Sequence, residues 1–199
     1  MKKIFSISAL VVVLALALTS CGKYPQAEVD AAKAAVDSAK MAEVDRYLPD
    51  QFAALQDSLN SAIQKAEEAK SKLFKNYGEA KQKLQAVVEL AKQATAGVEA
   101  KKNEVKQEVE NGLTEIDQLI NEDKELMKKA PRGKEGKAAL EQMQAELTAV
   151  ENTVTEVKDL LGKGDFIGAK EKLMPAKEKA ASINAELKAA IEKVKGAKK

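Results

Sequence analysis

The chain has 199 residues, with 33 basic and 31 acidic side chains, one cysteine and no histidine. Without histidine it can form neither a Ser-His-Asp triad nor a His-ligated zinc or di-iron site, and one cysteine cannot form a thiolate cluster. Lys2 and Lys3 account for the net charge of +2. The rest of the chain is therefore neutral and has no global field that would draw it to nucleic acid.

The first twenty residues have the pattern of a secretory signal peptide. The chain opens with the letters MKK, a positive start, and residues 4–18 are almost wholly apolar. This run is shorter than the roughly 20 residues that a membrane-spanning helix needs. It ends in LTSCG, residues 18–22. We therefore predict a signal peptide at residues 1–20, followed by a short lipid-anchored linker at residues 21–26.

The letters LTSC, residues 18–21, resemble the lipobox of bacterial lipoproteins, in which leucine and two small residues precede an acceptor cysteine. The resemblance implies that Cys21 becomes the first mature residue and carries a diacylglycerol on its sulfur. A third acyl chain, such as palmitate, usually follows on the amine, and several chains together anchor far more firmly than one. Gly22, where an inner-membrane lipoprotein of enteric bacteria has aspartate, implies the outer membrane, facing the periplasm. The alternative interpretations are a spare thiol and an uncleaved membrane anchor.

The mature chain is rich in Ala, Lys, Glu, Gln and Leu, a composition typical of long helices and coiled coils. Its apolar residues recur at alternating spacings of three and four, which places them on one stripe of a helix that packs against other helices. Three such stripes are Phe52, Leu55, Leu59, Ala62, Ala66, Ala69 and Leu73; Leu140, Met143, Leu147, Val150, Val154, Val157 and Leu161; and Phe166, Ala169, Leu173, Ala176, Ala180, Ile183, Leu187, Ala190 and Val194.

The middle of the chain predicts one long helix, from about Tyr77 to Ala130. At 1.5 Å per residue this helix would be on the order of 80 Å long. Lys102 and the weak pair Asn111-Gly112 interrupt its apolar stripe. The stripe consists of Leu84, Val87, Val88, Ala91, Val98, Val105, Val109, Ile116, Leu119, Ile120, Leu126 and Met127.

Proline and glycine indicate where the other helices begin and end. Pro49 is tolerated in the first turn of a helix, and residues 131–136 are predicted to form a loop. The letters GKG, residues 162–164, end a helix before Asp165, which is a good N-cap residue. Pro175 lies in a stripe that keeps its phase, so we expect one kinked helix there.

Residues 75–78 allow two interpretations, a turn or an unbroken helix from Pro49 onward, because the apolar stripe continues in phase. An internal repeat favours the turn. The letters YGEAKQKL (77–84) match FIGAKEKL (166–173), and the stripes upstream of both align at a constant offset. Each copy then predicts a helix, a turn and a second helix. The competing explanation is that helical sequences of low complexity match one another easily.

These elements predict an all-α fold, an elongated antiparallel helical bundle of coiled-coil hairpins. It has about five helices, one of them long and central. N-terminal helical hairpins with the long helix are expected at residues 27–130, a loop at 131–136 and a C-terminal helical hairpin at 137–199. The many alanines on the stripes leave little side-chain volume, so we see no basis for a deep ligand cavity.

The region from about Gln26 to Ala100 resembles an alanine-rich helical domain of unknown function that occurs in bacterial envelope lipoproteins. The resemblance implies a helical fold and a location in the cell envelope, but no activity. The domain also occurs beside peptidoglycan-binding modules, and the chain contains no such module. The residues that carry the resemblance are Ala27, Ala31, Ala34, Ala35, Ala39, Tyr47, Leu48, Pro49, Phe52, Tyr77, Ala80 and Leu84.

Two acidic groups could in principle bind a cation, namely Glu122 with Asp123 and Glu125, and Glu67 with Glu68. Oxygen ligands of this type suit hard cations. The acidic residues alternate with lysines, however, as in EDKE at residues 122–125. A solvated, salt-bridged helix face explains this alternation more simply, and we predict no metal site.

The sequence favours a non-enzymatic protein without a cofactor, tethered to a membrane through Cys21. We expect a helical scaffold, spacer or adaptor that presents helix faces to another envelope protein or to peptidoglycan. Lys199 resembles the end of Braun-type lipoproteins, whose last lysine is joined to peptidoglycan, although those proteins are much shorter single helices. The alternative hypothesis is a periplasmic carrier whose amphipathic helices shelter a lipid or another amphiphile.

Overall fold

The computed structural model describes residues 22–196, and every regular element within that range is an α-helix. The predicted all-α class and the long central helix are confirmed. The structure adds a single-turn helix, α2, to the about five helices that were expected. In chain order the helices are α1 (Gln26–Met41), α2 (Val44–Tyr47), α3 (Pro49–Ser71), α4 (Gly78–Lys129), α5 (Lys134–Gly162) and α6 (Phe166–Gly196).

The described residues divide into two compact units, one ending at Glu99 and the next beginning at Ala100. This boundary lies within α4, whereas the loop at residues 131–136 is the boundary predicted from the sequence. The reason is that the apolar stripe of α4 continues beyond Ala100. The C-terminal part of α4 packs into the same hydrophobic core as α5 and α6.

The first unit consists of α1, α2, α3 and the N-terminal part of α4. Helix α3 is antiparallel to α4, since Gln51 and Leu55 share a groove with Ala94 while Ser61 lies across from Lys83. Helix α1 contacts α3. Apolar side chains from all four helices form the core, namely Val29, Ala32, Val36, Ala39, Val44, Tyr47, Phe52, Leu55, Ala62, Ala66, Ala69, Tyr77, Ala80, Leu84, Val87, Ala91, Ala94 and Val98.

A turn separates α3 from α4, so the alternative of an unbroken helix from Pro49 is wrong. Helix α3 ends at Ser71 and α4 begins at Gly78. The Asn76 side-chain oxygen accepts a hydrogen bond from the Gly78 N–H at 2.9 Å, an Asx-type turn that satisfies a free N–H at the start of α4. Leu73 was predicted to lie on the apolar stripe of α3. Because the helix ends two residues earlier, its side chain is instead 91% exposed.

The second unit consists of the C-terminal part of α4 with α5 and α6. Helix α5 runs antiparallel to both neighbours. Its Glu151 and Lys158 pair with Lys124 and Asp117 of α4, in reversed order along the chain. Its Glu146 and Glu156 likewise pair with Lys179 and Lys172 of α6. All apolar stripe residues from Leu147 to Val157 are buried. In each unit a turn joins two antiparallel helices, α3 with α4 and α5 with α6, which is the helix, turn and helix that the repeat predicted. Each unit also contains a third long helical segment.

The loops and helix ends of the second unit lie where the sequence predicts them, except at the start of α5. Helix α5 begins at Lys134, so the loop after α4 is shorter than the predicted range 131–136. At the other end of α5, Gly164 adopts a left-handed φ of 79°. The Asp165 carboxylate accepts a hydrogen bond from the Gly168 N–H at 3.2 Å and so caps α6, as predicted. Helix α6 passes through Pro175 as one helix.

Candidate membrane-anchoring site

The predicted lipidation residue, Cys21, and the signal peptide at residues 1–20 lie outside the described residues, as does Lys199. The structure describes the chain from Gly22, which immediately follows Cys21. Gly22 and Lys23 are exposed, Tyr24 is half-buried and Pro25 is buried. Helix α1 begins directly after Pro25. Four residues therefore connect Cys21 to a packed helix.

Tyr24 joins this short connection to the α3–α4 turn. Its ring meets the ring of Tyr77 edge-to-face, with 5.9 Å between centroids and an interplanar angle of 79°. The Lys70 Nζ lies 5.1 Å from the centroid of the Tyr24 ring, within cation–π distance. These contacts hold Tyr24 against the end of α3 and the start of α4.

The Tyr24 hydroxyl also takes part in a polar contact with α3. It donates a hydrogen bond to the Glu67 carboxylate, and this bond, together with burial, raises the pKa of Tyr24. The same bond and a second one from Lys70, whose Nζ lies 3.3 Å from the carboxylate, lower the pKa of Glu67. Both shifts favour the arrangement in which Tyr24 is neutral and Glu67 is charged.

The α3–α4 turn exposes two adjacent large apolar side chains. Leu73 is 91% exposed and Phe74 is 87% exposed. Lys72 and Lys75 flank them and are exposed as well. This exposed pair was not predicted, because the spacing of the apolar residues places Leu73 on the core stripe of α3. Phe74 does not lie on that stripe, and this was the feature of the sequence that indicated an exposed apolar side chain in the turn.

The acidic groups that could have bound a cation are engaged with lysines. Glu122 contacts Lys188 at 2.8 Å, and Glu125 contacts Lys128 at 2.6 Å. Glu68 likewise contacts Lys65 at 2.8 Å. Within residues 22–196 there is no cluster of three or more acidic or thiol side chains with the geometry to hold a metal ion.

Asp123 departs from the predicted solvated helix face, because its side chain is fully buried. Asn184 of α6 donates a hydrogen bond to Asp123 Oδ1 at 2.8 Å. The second carboxylate oxygen, Oδ2, has no hydrogen-bond partner among the described residues. Burial raises the pKa of Asp123, and the hydrogen bond from Asn184 opposes this shift. Asp123 is therefore a buried polar contact between α4 and α6.

The described residues also form grooves along the helices. One groove, of about 400 Å³, lies between α4 and α6 beside Gly112, Leu173 and Met174. Another, of about 480 Å³, lies between α1 and α4 and is lined mainly by small apolar side chains such as Ala35, Val88 and Ala91. The first groove is also lined by charged side chains that form ion pairs between the two helices, Lys170 with Glu108 and Lys177 with Glu115.

The part of the chain from residue 22 to residue 196 has no helix with both the length and the apolar character to span a bilayer. No protein-family model, no curated protein and no solved structure matches the chain.

Proposed function

We propose that the chain is a lipid-anchored protein of the bacterial cell envelope, held in the membrane through Cys21. The observation that carries this proposal is the LTSC sequence at residues 18–21, which follows a positive start and a short apolar run. The location that follows is the outer membrane, on the periplasmic side, because Gly22 takes the place of the inner-membrane aspartate. The anchor consists of acyl chains, each buried CH2 group contributing about 0.8 kcal/mol.

We further propose that the anchored chain is a non-enzymatic scaffold, spacer or adaptor. Its helices expose charged faces on which lysines and carboxylates pair, for example Lys92 with Glu89 and Lys101 with Glu104. Such surface pairs contribute little to stability, typically below about 1 kcal/mol each. They leave rigid helix faces available to an envelope protein or to peptidoglycan.

Metabolic labelling tests the anchor. Cells that express the wild-type chain receive a palmitate analogue that can be detected on a gel, and membranes are then separated from soluble protein. We expect label and membrane association for the wild type, and neither for Cys21→Ser. Ser20→Ala is the matched control, since alanine keeps a small residue next to the cysteine and should preserve the label. An unlabelled wild type, or a Cys21→Ser variant that remains fully in the membrane, would contradict the proposal.

Crosslinking in cells tests the adaptor role. We expect the wild type to crosslink reproducibly to one or a few envelope proteins or to peptidoglycan fragments, identified by mass spectrometry. The Cys21→Ser variant, which lacks the anchor, should lose these partners because it no longer resides at the membrane. Crosslinks that are diffuse and identical for both variants would argue against a scaffold or adaptor.

A carrier of lipid or another amphiphile is the second candidate, favoured by the apolar groove beside Ala35, Val88 and Ala91. Its volume, about 480 Å³, lies within the range of known ligand pockets. Native mass spectrometry of the Cys21→Ser protein distinguishes the two functions. A carrier should retain a bound amphiphile, and substitution of Ala35, a half-buried residue that lines the groove, by phenylalanine should displace it. A scaffold should carry none.

A further inference from the structure

The exposed pair Leu73–Phe74 has no structural role in the turn that contains it. Single exposed apolar residues are common on protein surfaces, but adjacent ones that are almost fully exposed usually mark an interaction site. The corresponding turn of the second unit, which follows α5, has the letters GKG at residues 162–164 and no large apolar side chain. The same helix–turn–helix architecture therefore forms without such a pair.

The pair lies on the side of the first unit where the chain leaves the anchor. Tyr24 packs against Tyr77 and under Lys70, the residues on either side of the turn. Three peptide steps separate Cys21 from Tyr24, and three more separate Phe74 from Tyr77. With about 3.8 Å between successive Cα atoms, each of these spans is at most about 11 Å. A membrane that holds Cys21 is therefore within reach of the turn.

The charge of the turn fits a bilayer surface. The segment from Lys70 to Tyr77 contains three lysines and no acidic residue. Lys72 and Lys75 flank the apolar pair directly and are exposed. Lysines beside buried apolar side chains are typical of segments that lie at a membrane interface, where they meet anionic lipid headgroups.

We propose that the α3–α4 turn is a second membrane contact, in which Leu73 and Phe74 insert among the lipid headgroups and acyl chains of the leaflet that holds Cys21. The exposed surface formed by Leu73, Phe74 and the flanking lysines therefore binds an anionic lipid bilayer. The inference rests on the proposed lipid anchor and deepens it, because the acyl chains would fix only a point whereas two contacts fix the orientation of the first unit. The first unit then presents its helices to partners at a defined angle to the membrane.

Depth-sensitive fluorescence tests the contact on the full lipidated chain. The sulfur of Cys21 is acylated in the mature protein, so Phe74→Cys introduces the only free thiol, to which a polarity-sensitive NBD probe is attached. The protein is reconstituted into vesicles of phosphatidylethanolamine and phosphatidylglycerol. We expect a blue-shifted probe that spin-labelled lipids quench. Met41→Cys is the matched control, since Met41 is 80% exposed but lies at the other end of α1, about 24 Å along that helix at 1.5 Å per residue. Its probe should remain water-like and unquenched.

A protease assay gives an independent measurement. Trypsin cleaves after lysine, and insertion of the turn should protect Lys72 and Lys75 in vesicles. We expect cleavage there to accelerate about tenfold or more in the Leu73→Ser/Phe74→Ser variant, because burial of one large apolar side chain suffices for a tenfold change in an equilibrium. The exposed positions of both residues mean that this variant should fold normally.

The outcomes separate this inference from the anchor. Acylated protein whose probe at position 74 is water-like, with equal trypsin cleavage in both forms, overturns the membrane contact and leaves the anchor intact. A probe that is protected but not quenched by spin-labelled lipids, in a protein that elutes as a dimer, would assign the pair to a second copy and also overturn it. Absence of acylation would overturn the proposed function itself.

Discussion

At the scale of single residues, Asp123 and Asn184 are the most unusual pair in the second unit. Both are buried among apolar side chains, and one carboxylate oxygen lacks a hydrogen-bond partner in the described part of the chain. A buried polar pair contributes little net stability, but removal of one partner leaves the other uncompensated. The pair can still favour one register of α4 against α6, since any shift would separate the two side chains.

Replacement of Asn184 tests this account of the pair. We expect Asn184→Leu to lower the free energy of unfolding by about 1.5–3 kcal/mol, because the buried carboxylate of Asp123 loses its hydrogen-bond donor. The double variant Asp123→Leu/Asn184→Leu should recover most of this loss, since two apolar side chains replace both partners. Urea titration followed by circular dichroism measures both. A double variant that is less stable than Asn184→Leu would show that the pair contributes net stability.

The raised pKa of Asp123 predicts how the stability of the second unit depends on pH. A raised pKa means that the folded chain binds the proton more tightly than the unfolded chain, for which the pKa is about 3.9. As the pH falls from neutral through the raised value toward this ordinary value, protonation of Asp123 therefore stabilises the fold. This stabilising contribution is fully present at pH values below the unfolded-state pKa and is lost as the pH rises through the raised folded-state pKa.

The wild type should consequently gain stability relative to Asp123→Asn as the pH is lowered. The comparison with Asp123→Asn is needed because carboxylates such as Glu28 and Glu108, whose hydrogen bonds to lysine lower their pKa, change stability in the opposite direction. These groups are present in both proteins and cancel. A difference that is flat between neutral and acidic pH would contradict a raised pKa for Asp123.

Replacement by alanine is expected to change stability in opposite directions at Gly97 and at Gly112, although both glycines lie within α4. Alanine in a helix interior is favoured over glycine by about 0.8–1.0 kcal/mol. A Cβ atom at Gly97 would lie 3.3 Å from Leu48 Cδ1, and Leu48 is half-buried, so a small movement accommodates it. A Cβ atom at Gly112 would lie 2.7 Å from Leu173 Cδ2, and Leu173 is fully packed in the core.

We therefore expect Gly97→Ala to raise the free energy of unfolding by up to about 1 kcal/mol. Gly112→Ala should lower it by about 1 kcal/mol, because overpacking of a core typically costs 1–3 kcal/mol and exceeds the gain in helix propensity. Thermal unfolding of the two single variants measures the difference. Equal stabilisation by both would mean that α6 moves away from α4 without cost.

At the scale of the helices, most of the fold could be predicted from apolar spacing. The alternation of three and four located α3, α5 and α6, and the glycines and prolines located their ends within a few residues. Leu73 was misassigned because the stripe stays in phase across the turn, so spacing alone cannot show where α3 ends. Asn76, whose side chain starts α4, was the local signal for the break.

The candidate sites were harder to predict for a physical reason. Asp123 lies three residues after Ile120 and four before Met127, which is a stripe position, yet its charge and its acidic neighbours indicated a solvated face. The hydrogen bond from Asn184 of α6, sixty-one positions away, offsets part of the cost of burying the Asp123 side chain. Contacts between residues so far apart in the chain leave no trace in local spacing. The contact of Tyr24 with Tyr77 is of the same kind.

At the scale of the whole molecule, residues 22–196 form two units of three long helical segments each, and α4 contributes a segment to each unit. Among the described residues, the hydrophobic core that contains Leu147 is formed by side chains from Val109 onward. Leu55 belongs to the core of the first unit. Since each core is built from its own segments, a cavity in one should affect that unit first.

Hydrogen exchange of two matched core variants tests the independence of the units. Leu55→Ala and Leu147→Ala should each cost about 2–5 kcal/mol, since both side chains are fully buried leucines. We expect Leu55→Ala to increase amide exchange in α1, α3 and the N-terminal part of α4. Leu147→Ala should increase it in α5, α6 and the C-terminal part of α4. Equal increases throughout the chain in both variants would indicate a single cooperative unit.

The proposed lipid anchor underlies both the proposed function and the proposed second membrane contact. Mass spectrometry of the N-terminal peptide, from protein extracted out of cell membranes, tests it most directly. We predict a chain that begins at Cys21, with a diacylglycerol on its sulfur and a further acyl chain on its amine or a free amine. A mature protein that retains residues 1–20, or that begins elsewhere with an unmodified Cys21 thiol, would contradict the account.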